Sequence, residues 1–356
     1  RYLGSDALAA VGSSYTLMTF LTSIIIGLCM GSGAAISMQY GSGDSKKMRQ
    51  SVFISFCLIA GISIALNIIV YIGMDFILWA LQIPNEIQAM MRDYLEIIFL
   101  GITATFLYNY FANLLRAIGN SVLPLVFLAV SAVLNVVLDL VCVLLFNWGV
   151  KGAAIATVFS EFISAIGIAI YTFKRFKQLI PEKEDMKWNR NNLSAILNLS
   201  VMTSLQQSIM NFGILMVQGL VNSFGTVIMA AFAAAVKIDS FAYMPVQDFG
   251  NAFSTYVAQN YGAGKQERIR KGIKSAFVTS VIFCAIISLD GTLCKHITCF
   301  CVAAFIISAI LRCVHQHDVT ICSISKVTPI GGSIISPIFS FRGLTIIILV
   351  YKNCIK

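Results

Sequence analysis

Runs without a single Asp, Glu, Lys or Arg organise this chain: residues 7–43, 50–74, 97–115, 117–138 and 191–236 are uncharged. A helix that crosses the hydrocarbon core of a bilayer needs about 20 such residues, so each run is long enough to span. Broken at Gly, Pro and charge clusters, the pattern predicts eight helices, at approximately 10–39, 48–74, 92–114, 121–145, 151–173, 192–221, 226–258 and 273–289. The 191–236 run must hold two of them. One helix of that length, rising about 1.5 Å per residue, would be more than twice the core thickness, and Asn222-Ser223-Phe224-Gly225 supplies a turn.

Composition excludes the soluble alternatives. Of the 356 residues, 12% are charged and 58% hydrophobic, with a mean hydropathy of +0.84. A soluble protein of this size could not cover its surface with so few charges, so a cytosolic enzyme is excluded. The net charge of +9 lies in short clusters between apolar runs rather than along one polar face, which argues against a nucleic-acid partner. One set of alternate loops carries fifteen Lys and Arg, among them Lys46, Lys47, Arg49, Arg116, the six from Lys174 to Arg190 and the five from Lys265 to Lys274. The other set carries three, Arg1, Arg92 and Lys151. By the positive-inside rule the richer set is cytoplasmic. The expectation is a multi-pass protein of the cell inner (plasma) membrane with its linker, 174–191, in the cytoplasm. Cys29, Cys57, Cys142 and Cys284 sit inside apolar segments, where a thiol behaves as a small buried hydrophobe.

Laid on itself with an offset of 221, the chain matches without a gap: Gly4 with Gly225, Ala9 with Ala230, Ala10 with Ala231, Phe20 with Phe241, Tyr40 with Tyr261, Gly41 with Gly262, Gly43 with Gly264 and Arg49 with Arg270. Both copies run inward by the charge count, so the halves are parallel repeats about an axis along the membrane normal. The expected domains are an N-terminal lobe at 1–173, the linker at 174–191, the start of a C-terminal lobe at 192–289 and an aberrant apolar tail at 290–356. Mapped back by 221, helix 192–221 falls just before Arg1, so the repeat predicts a first helix that the chain lacks. The tail holds all three His and six of the ten Cys, and an out-of-frame origin is expected for it. Its cluster of Cys313, His315, His317 and Cys322 follows no standard zinc spacing, so no metal site is expected.

Polar residues inside the apolar runs are the candidate chemistry. Gln207, Asn211, Gln218 and Asn222 recur on one helical face, which should look into the protein or a wet cavity; equally, they could serve as interhelical hydrogen bonds. Ser131, Asn135 and Asp139 recur every four residues on the fourth helix. An ionisable group at that depth reads as a proton or cation site, which makes Asp139 the first coupling candidate and Glu161, midway along the next helix, the second. Lys237, Asp239 and Asp248 flank Pro245, a predicted hinge, as further cavity candidates. Gly41-Ser42-Gly43 and Gly262-Ala263-Gly264 lack the Lys-Ser/Thr ending of a phosphate loop and read as helix-terminating turns. Gly27 and Gly31 form a small-residue pair that would let a second helix approach closely.

Several short motifs then combine. Arg1-Tyr2-Leu3-Gly4 with Ala7-Leu8-Ala9-Ala10-Val11-Gly12, Arg116-Ala117-Ile118-Gly119-Asn120, Asn135 with Leu138-Asp139, Gly149-Val150-Lys151-Gly152-Ala153-Ala154-Ile155-Ala156-Thr157 and Gln259-Asn260-Tyr261-Gly262-Ala263-Gly264-Lys265 resemble the multidrug and toxic compound extrusion (MATE) family, in order, over roughly residues 1–289. The resemblance implies an all-α polytopic membrane protein of two six-helix lobes. Such a protein is no enzyme and holds no cofactor. It works as a monomer in the lipid bilayer, exporting small organic cations or toxic compounds by alternating access against Na⁺ or H⁺. The alternatives are a lipid-linked saccharide flippase, whose cavity should carry several cations where only Lys237 lies inside a helix, and a non-functional fragment or membrane metal-binding protein.

Overall fold

A computed structural model of the chain describes residues 4–289, which among themselves form helices and turns with no strand. In chain order these are α1 (Gly4–Ser42), α2 (Ser45–Ile72), α3 (Met74–Ala80), α4 (Asn85–Leu100), α5 (Ile102–Ala117), α6 (Val122–Leu140), α7 (Gly149–Arg175), α8 (Arg190–Asn222), α9 (Thr226–Gly262) and α10 (Gln266–Leu289). One π turn (Val141–Leu145) follows α6, and one 3₁₀ turn (Lys177–Leu179) follows α7. The expected tail, 290–356, with its Cys and His cluster, lies outside the described residues.

All eight expected helices are present, with one added and one divided. The addition is α3, a seven-residue turn between α2 and α4. The division falls in the helix expected at 92–114, which begins at Asn85 and breaks at Gly101, where α4 and α5 meet at 41°. Close packing at the break needs glycine: a Cβ on Gly101 would lie 2.9 Å from the Ile98 carbonyl oxygen and 3.1 Å from Val158 Cγ2. The break leaves α4 carbonyls without helical donors. Gly101 N–H donates to Ile98 O at 2.8 Å, and Asn67 Nδ2, reaching from α2, donates to Phe99 O at 2.6 Å.

α1, α2, α6 with its π turn, and α7 are each long and apolar enough to cross a membrane, and the bent pair α4 and α5 passes the same test together. α6 turns its apolar side chains outward, with Val122, Leu125, Val133, Val136 and Leu140 exposed. Such a face is tolerated in lipid and not in water. Cys29 and Cys142 are buried free thiols, as the sequence led one to expect, whereas Cys57 is half-buried and the side chain of Cys284 lies outside what is described.

The chain divides into two compact units, Arg1–Ile269 and Arg270–Lys356. Within the first, α1 is the hub, packed by α2, α4, α5, α8 and α9. Its small residues allow this. A Cβ on Gly27 would come within 2.4 Å of Ser204 Cα, and one on Gly31 within 2.4 Å of Ser200 Cα, so α8 lies against bare backbone. The contact with α9 follows the repeat offset of 221. A Cβ on Gly41 would meet the Gln259 carbonyl oxygen at 2.0 Å, and a Cβ on Gly262 would meet that of Met38 at 1.9 Å. Residue 38 corresponds to 259 as 41 does to 262, so the contact is self-complementary, as a two-fold axis requires. The turns repeat too: Gly43 (φ +78°) donates to Tyr40 O and Gly264 (φ +68°) to Tyr261 O, both in the left-handed region that ends helices. At the other end of α1, a Cβ on Gly12 would lie 2.5 Å from Ala233 Cβ, and 12 corresponds to 233.

The segment between α7 and α8 is clasped to the start of α2. Arg49 Nε donates to Asp185 Oδ2 at 2.5 Å, Glu182 N–H donates to the same oxygen at 3.2 Å, and Gln50 Nε2 donates to Lys187 O at 3.0 Å. Asn192 Nδ2, in the first turn of α8, donates to Gln50 Oε1 at 2.7 Å, and Trp188 meets Phe53 edge to face. The Arg49 guanidinium holds the buried Asp185 carboxyl below the usual carboxylate range.

Candidate functional site

Two polar constellations lie inside this apolar scaffold. The first is built from α4, α5, α6 and α7. The four-residue row on α6 faces α7: Ser131 Oγ donates to Ser160 O at 3.1 Å and Asn135 Nδ2 to Thr157 Oγ1 at 3.2 Å. Asp139, one turn further, has a buried Oδ1 with no hydrogen-bond partner. An acceptor in that state is expensive and marks a place where a cation or a proton would be stabilised. Glu161 on α7 accepts from Thr105 Oγ1 at 3.0 Å. Tyr94 on α4 lies within electrostatic reach of both Asp139 and Glu161. The structure therefore pairs Asn135 with Thr157 and Glu161 with Thr105, while Asp139 lies two turns of α6 beyond Ser131, which meets Ser160 next to Glu161. Nothing in the sequence separates Tyr94, Thr105 and Thr157 from the other Tyr and Thr of the helices.

The second constellation is the carboxamide face of α8. All four of its residues are buried against the interior, and they divide by role. Gln218 and Asn222 close a hydrogen-bonded network with α1: Thr16 Oγ1 donates to Gln218 Oε1 at 3.2 Å, Gln218 Nε2 donates to Asn222 Oδ1 at 2.8 Å and to Ser13 Oγ at 3.2 Å. Asn222 Nδ2 donates to Leu81 O at 2.9 Å, beyond the end of α3. Gln207 lies midway along α8, where Gln247 of α9 donates to its Oε1 at 3.2 Å and Met30 Sδ of α1 stands 3.7 Å from its Nε2. Asn211 Nδ2 donates back to Gln207 O at 2.9 Å. Gln247 is a further member that the sequence did not single out, because a lone Gln next to Asp248 carries no periodic signal. Asp248 is exposed and lies within electrostatic reach of Tyr108. Lys237, Asp239 and Pro245 belong to α9, but their side chains lie outside what is described.

Half-buried carboxyl and buried carboxamide groups on helices that present apolar faces outward define a polytopic membrane protein with a polar interior. The chain belongs to the MATE family: it matches the MatE family over residues 1–141 and 200–303. It is 31% identical over 269 residues to the probable multidrug resistance protein YpnP of Bacillus subtilis (strain 168), a match that covers 75% of this chain and 60% of that protein. It is also 26% identical over 292 residues to the multidrug export protein MepA of Staphylococcus aureus (strain NCTC 8325 / PS 47), covering 80% of this chain and 63% of that one. The chain thus spans about three fifths of the length of these curated relatives. Among solved structures, a MATE crystal structure in the bent conformation superposes with a TM-score of 0.73 at 20% identity, covering 99% of this chain and 90% of that one. An outward-facing multidrug resistance MATE family transporter of the MOP superfamily superposes with a TM-score of 0.71 at 21% identity, covering 95% and 71%. These likenesses show the fold. Among the described residues no group of three or more His, Cys, Asp or Glu is placed to hold a metal ion.

Proposed function

We propose that this protein takes part in the export of small organic cations, driven by an inward flow of H⁺ or Na⁺, with Asp139 as the coupling carboxylate. The observation that carries the reading is the buried, partnerless Asp139 Oδ1 on the α6 face that also holds Asn135, in a member of a family of transporters. A group that must take up and release a cation cannot be tied into a permanent ion pair, and Asp139 makes none among the described residues. Gln207 and Gln247, between α1, α8 and α9, offer neutral amide dipoles for a substrate, with Asn211, Gln218, Lys237, Asp239 and Asp248 as further cavity candidates and Pro245 as a hinge. In this reading the protein is a transporter rather than an enzyme. It acts as a monomer in the inner membrane, with 174–191 cytoplasmic, by alternating access between lobes 1–173 and 192 onward. Names of relatives that include multidrug resistance and multidrug export support the substrate class.

The test is efflux of a fluorescent organic cation from vesicles under an imposed H⁺ or Na⁺ gradient. This chain is compared with one extended at both ends by the corresponding segments of a full-length relative. Gradient-driven efflux in the extended chain, reduced to the passive leak by Asp139→Asn, is the expected result. Efflux unchanged by Asp139→Asn would remove that residue from the coupling role, and no efflux under either gradient would remove the substrate class and favour a lipid-linked saccharide.

A further inference from the structure

The basic end of α7 carries cations that the fold itself does not use. Lys174 and Arg175 stand in the last turn of α7, Lys177 follows in the 3₁₀ turn, and all three are exposed. None of them makes an ion pair among the described residues. Of the three acids in the linker that could neutralise them, Glu182 and Asp185 are engaged by Arg49 of α2. Cations at a helix end can also serve its last carbonyls. Here Phe176 N–H donates to Thr172 O, and neither Lys174 nor Arg175 donates from its side chain to a carbonyl among the described residues.

Lys174 and Arg175 also line two grooves. One, of about 480 Å³, lies between α6 and α7 with Phe127, Gly167, Ile170 and Tyr171 as its apolar wall. The other, of about 420 Å³, continues past the helix end to Phe176, Lys177 and Gln178. Among the described residues no acid lines either groove. Glycine at 167 admits the Phe127 ring, since a Cβ there would lie 2.9 Å from its Cε1, and the ring stands edge to face on Tyr171. The apolar wall runs on along α7, where Ile163 and Ile166 precede Ile170 by seven and four residues on one face and all three are exposed. Because α7 is long enough to span, its end lies where hydrocarbon gives way to head groups.

We infer that the two grooves hold an anionic phospholipid, with its phosphate among Lys174, Arg175 and Lys177 and an acyl chain along Ile170, Ile166 and Ile163. Cations without a protein partner at head-group depth attract a negative head group. The apolar wall matches a chain that a soluble anion does not have. A zwitterionic lipid brings an ammonium group that the three cations repel. The site rests on the spanning fold and not on the transport reading, and only the choice of leaflet follows from the orientation given by loop charge.

The experiment is native mass spectrometry of the full chain, purified in neutral detergent and offered equal amounts of phosphatidylglycerol and phosphatidylcholine. The expected result is preferential retention of phosphatidylglycerol, with the preference reduced about tenfold or more in the triple variant Lys174→Gln, Arg175→Gln, Lys177→Gln. It should survive in Lys174→Arg with Lys177→Arg. It should also survive in Lys46→Gln, Lys47→Gln, Lys265→Gln, which removes the same charge from exposed positions elsewhere. Equal losses in the two triple variants would reduce the site to a general attraction of the basic surface and overturn the inference, as would no preference in the original chain. Displacement of the lipid by an equal concentration of glycerol 3-phosphate would make the occupant a soluble anion, which also overturns it. A second measurement needs no variant: phosphatidylglycerol with a photoreactive group on its acyl chain, in liposomes, should label peptides within 163–177. Label spread evenly over the spanning helices would count against the groove.

Discussion

At the scale of single residues, the fate of a polar side chain in this protein depends on whether its neighbours can satisfy it. Gln218 and Asn222 are saturated by Ser13, Thr16 and Leu81 O, so they join helices. Asp139 retains a buried oxygen without a hydrogen-bond partner, which is the state that the proposed cation exchange requires. Periodicity brought all three to notice but could not separate them, since the partners of Gln218 and Asn222 come from positions about 140 to 210 residues distant and no local pattern encodes them. Asp185 is the opposite case, an acid in the charged linker that the sequence did not single out and that is buried against Arg49. Its carboxyl is held below its ordinary value, chiefly by the hydrogen bond from Arg49. The stabilisation is therefore present above the unfolded-state pKa of about 4 and is lost as pH falls through the lowered folded value. Arg49→Ala should speed amide hydrogen exchange across 182–189 about fivefold at neutral pH, a ratio typical of losing one partly exposed ion pair. Measured by mass spectrometry, that difference should shrink only on strong acidification.

At the scale of elements, helix existence was legible because uncharged runs of spanning length are a strong signal, and Gly-rich turns marked their ends. The break at Gly101 was not legible. One Gly within the uncharged run 97–115 resembles any packing glycine, and only the approach of Val158 and the reach of Asn67 to Phe99 O set it apart. The short α3 was missed because seven residues fall below the length that periodicity resolves. Gly27 and Gly31 did advertise their role, and the α8 backbone against them turns that into a prediction. Gly31→Leu would force its side chain into Ser200 Cα and should destabilise the α1–α8 contact by about 3 kcal/mol, near the upper end for overpacking. A lowered melting temperature in detergent checks it. Gly41→Ala and Gly262→Ala meet carbonyl oxygens at 2.0 and 1.9 Å, and each should weaken the α1–α9 contact to a similar degree. Because both press on one interface, the double variant should lose less than the sum of the two, which a thermal double-mutant cycle would reveal.

At the scale of the whole molecule, the outward apolar face of α6 and the inward polar groups of α6 and α8 form one pattern, the inverse of a soluble protein. Val133 lies near the middle of the α6 span and is 66% exposed. Val133→Lys should raise the apparent cost of inserting that span by about 2.5 to 3.5 kcal/mol, the range for a basic residue at the centre of a helix, which a translocon insertion assay reads directly. The paired approach of α1 and α9 also has a mechanical meaning. Gly12 meets Ala233 and, at the other end of the same helix, Gly41 meets Gln259; along a straight helix those two points are about 44 Å apart at 1.5 Å per residue. A lever of that length, pivoting on either contact, opens its far end by the width of one helix, about 10 Å, on a turn of only about 13°. With Gly12 against only the methyl of Ala233 and Gly41 against the backbone of Gln259, the swing that the proposed alternating access calls for would meet little side chain at either fulcrum.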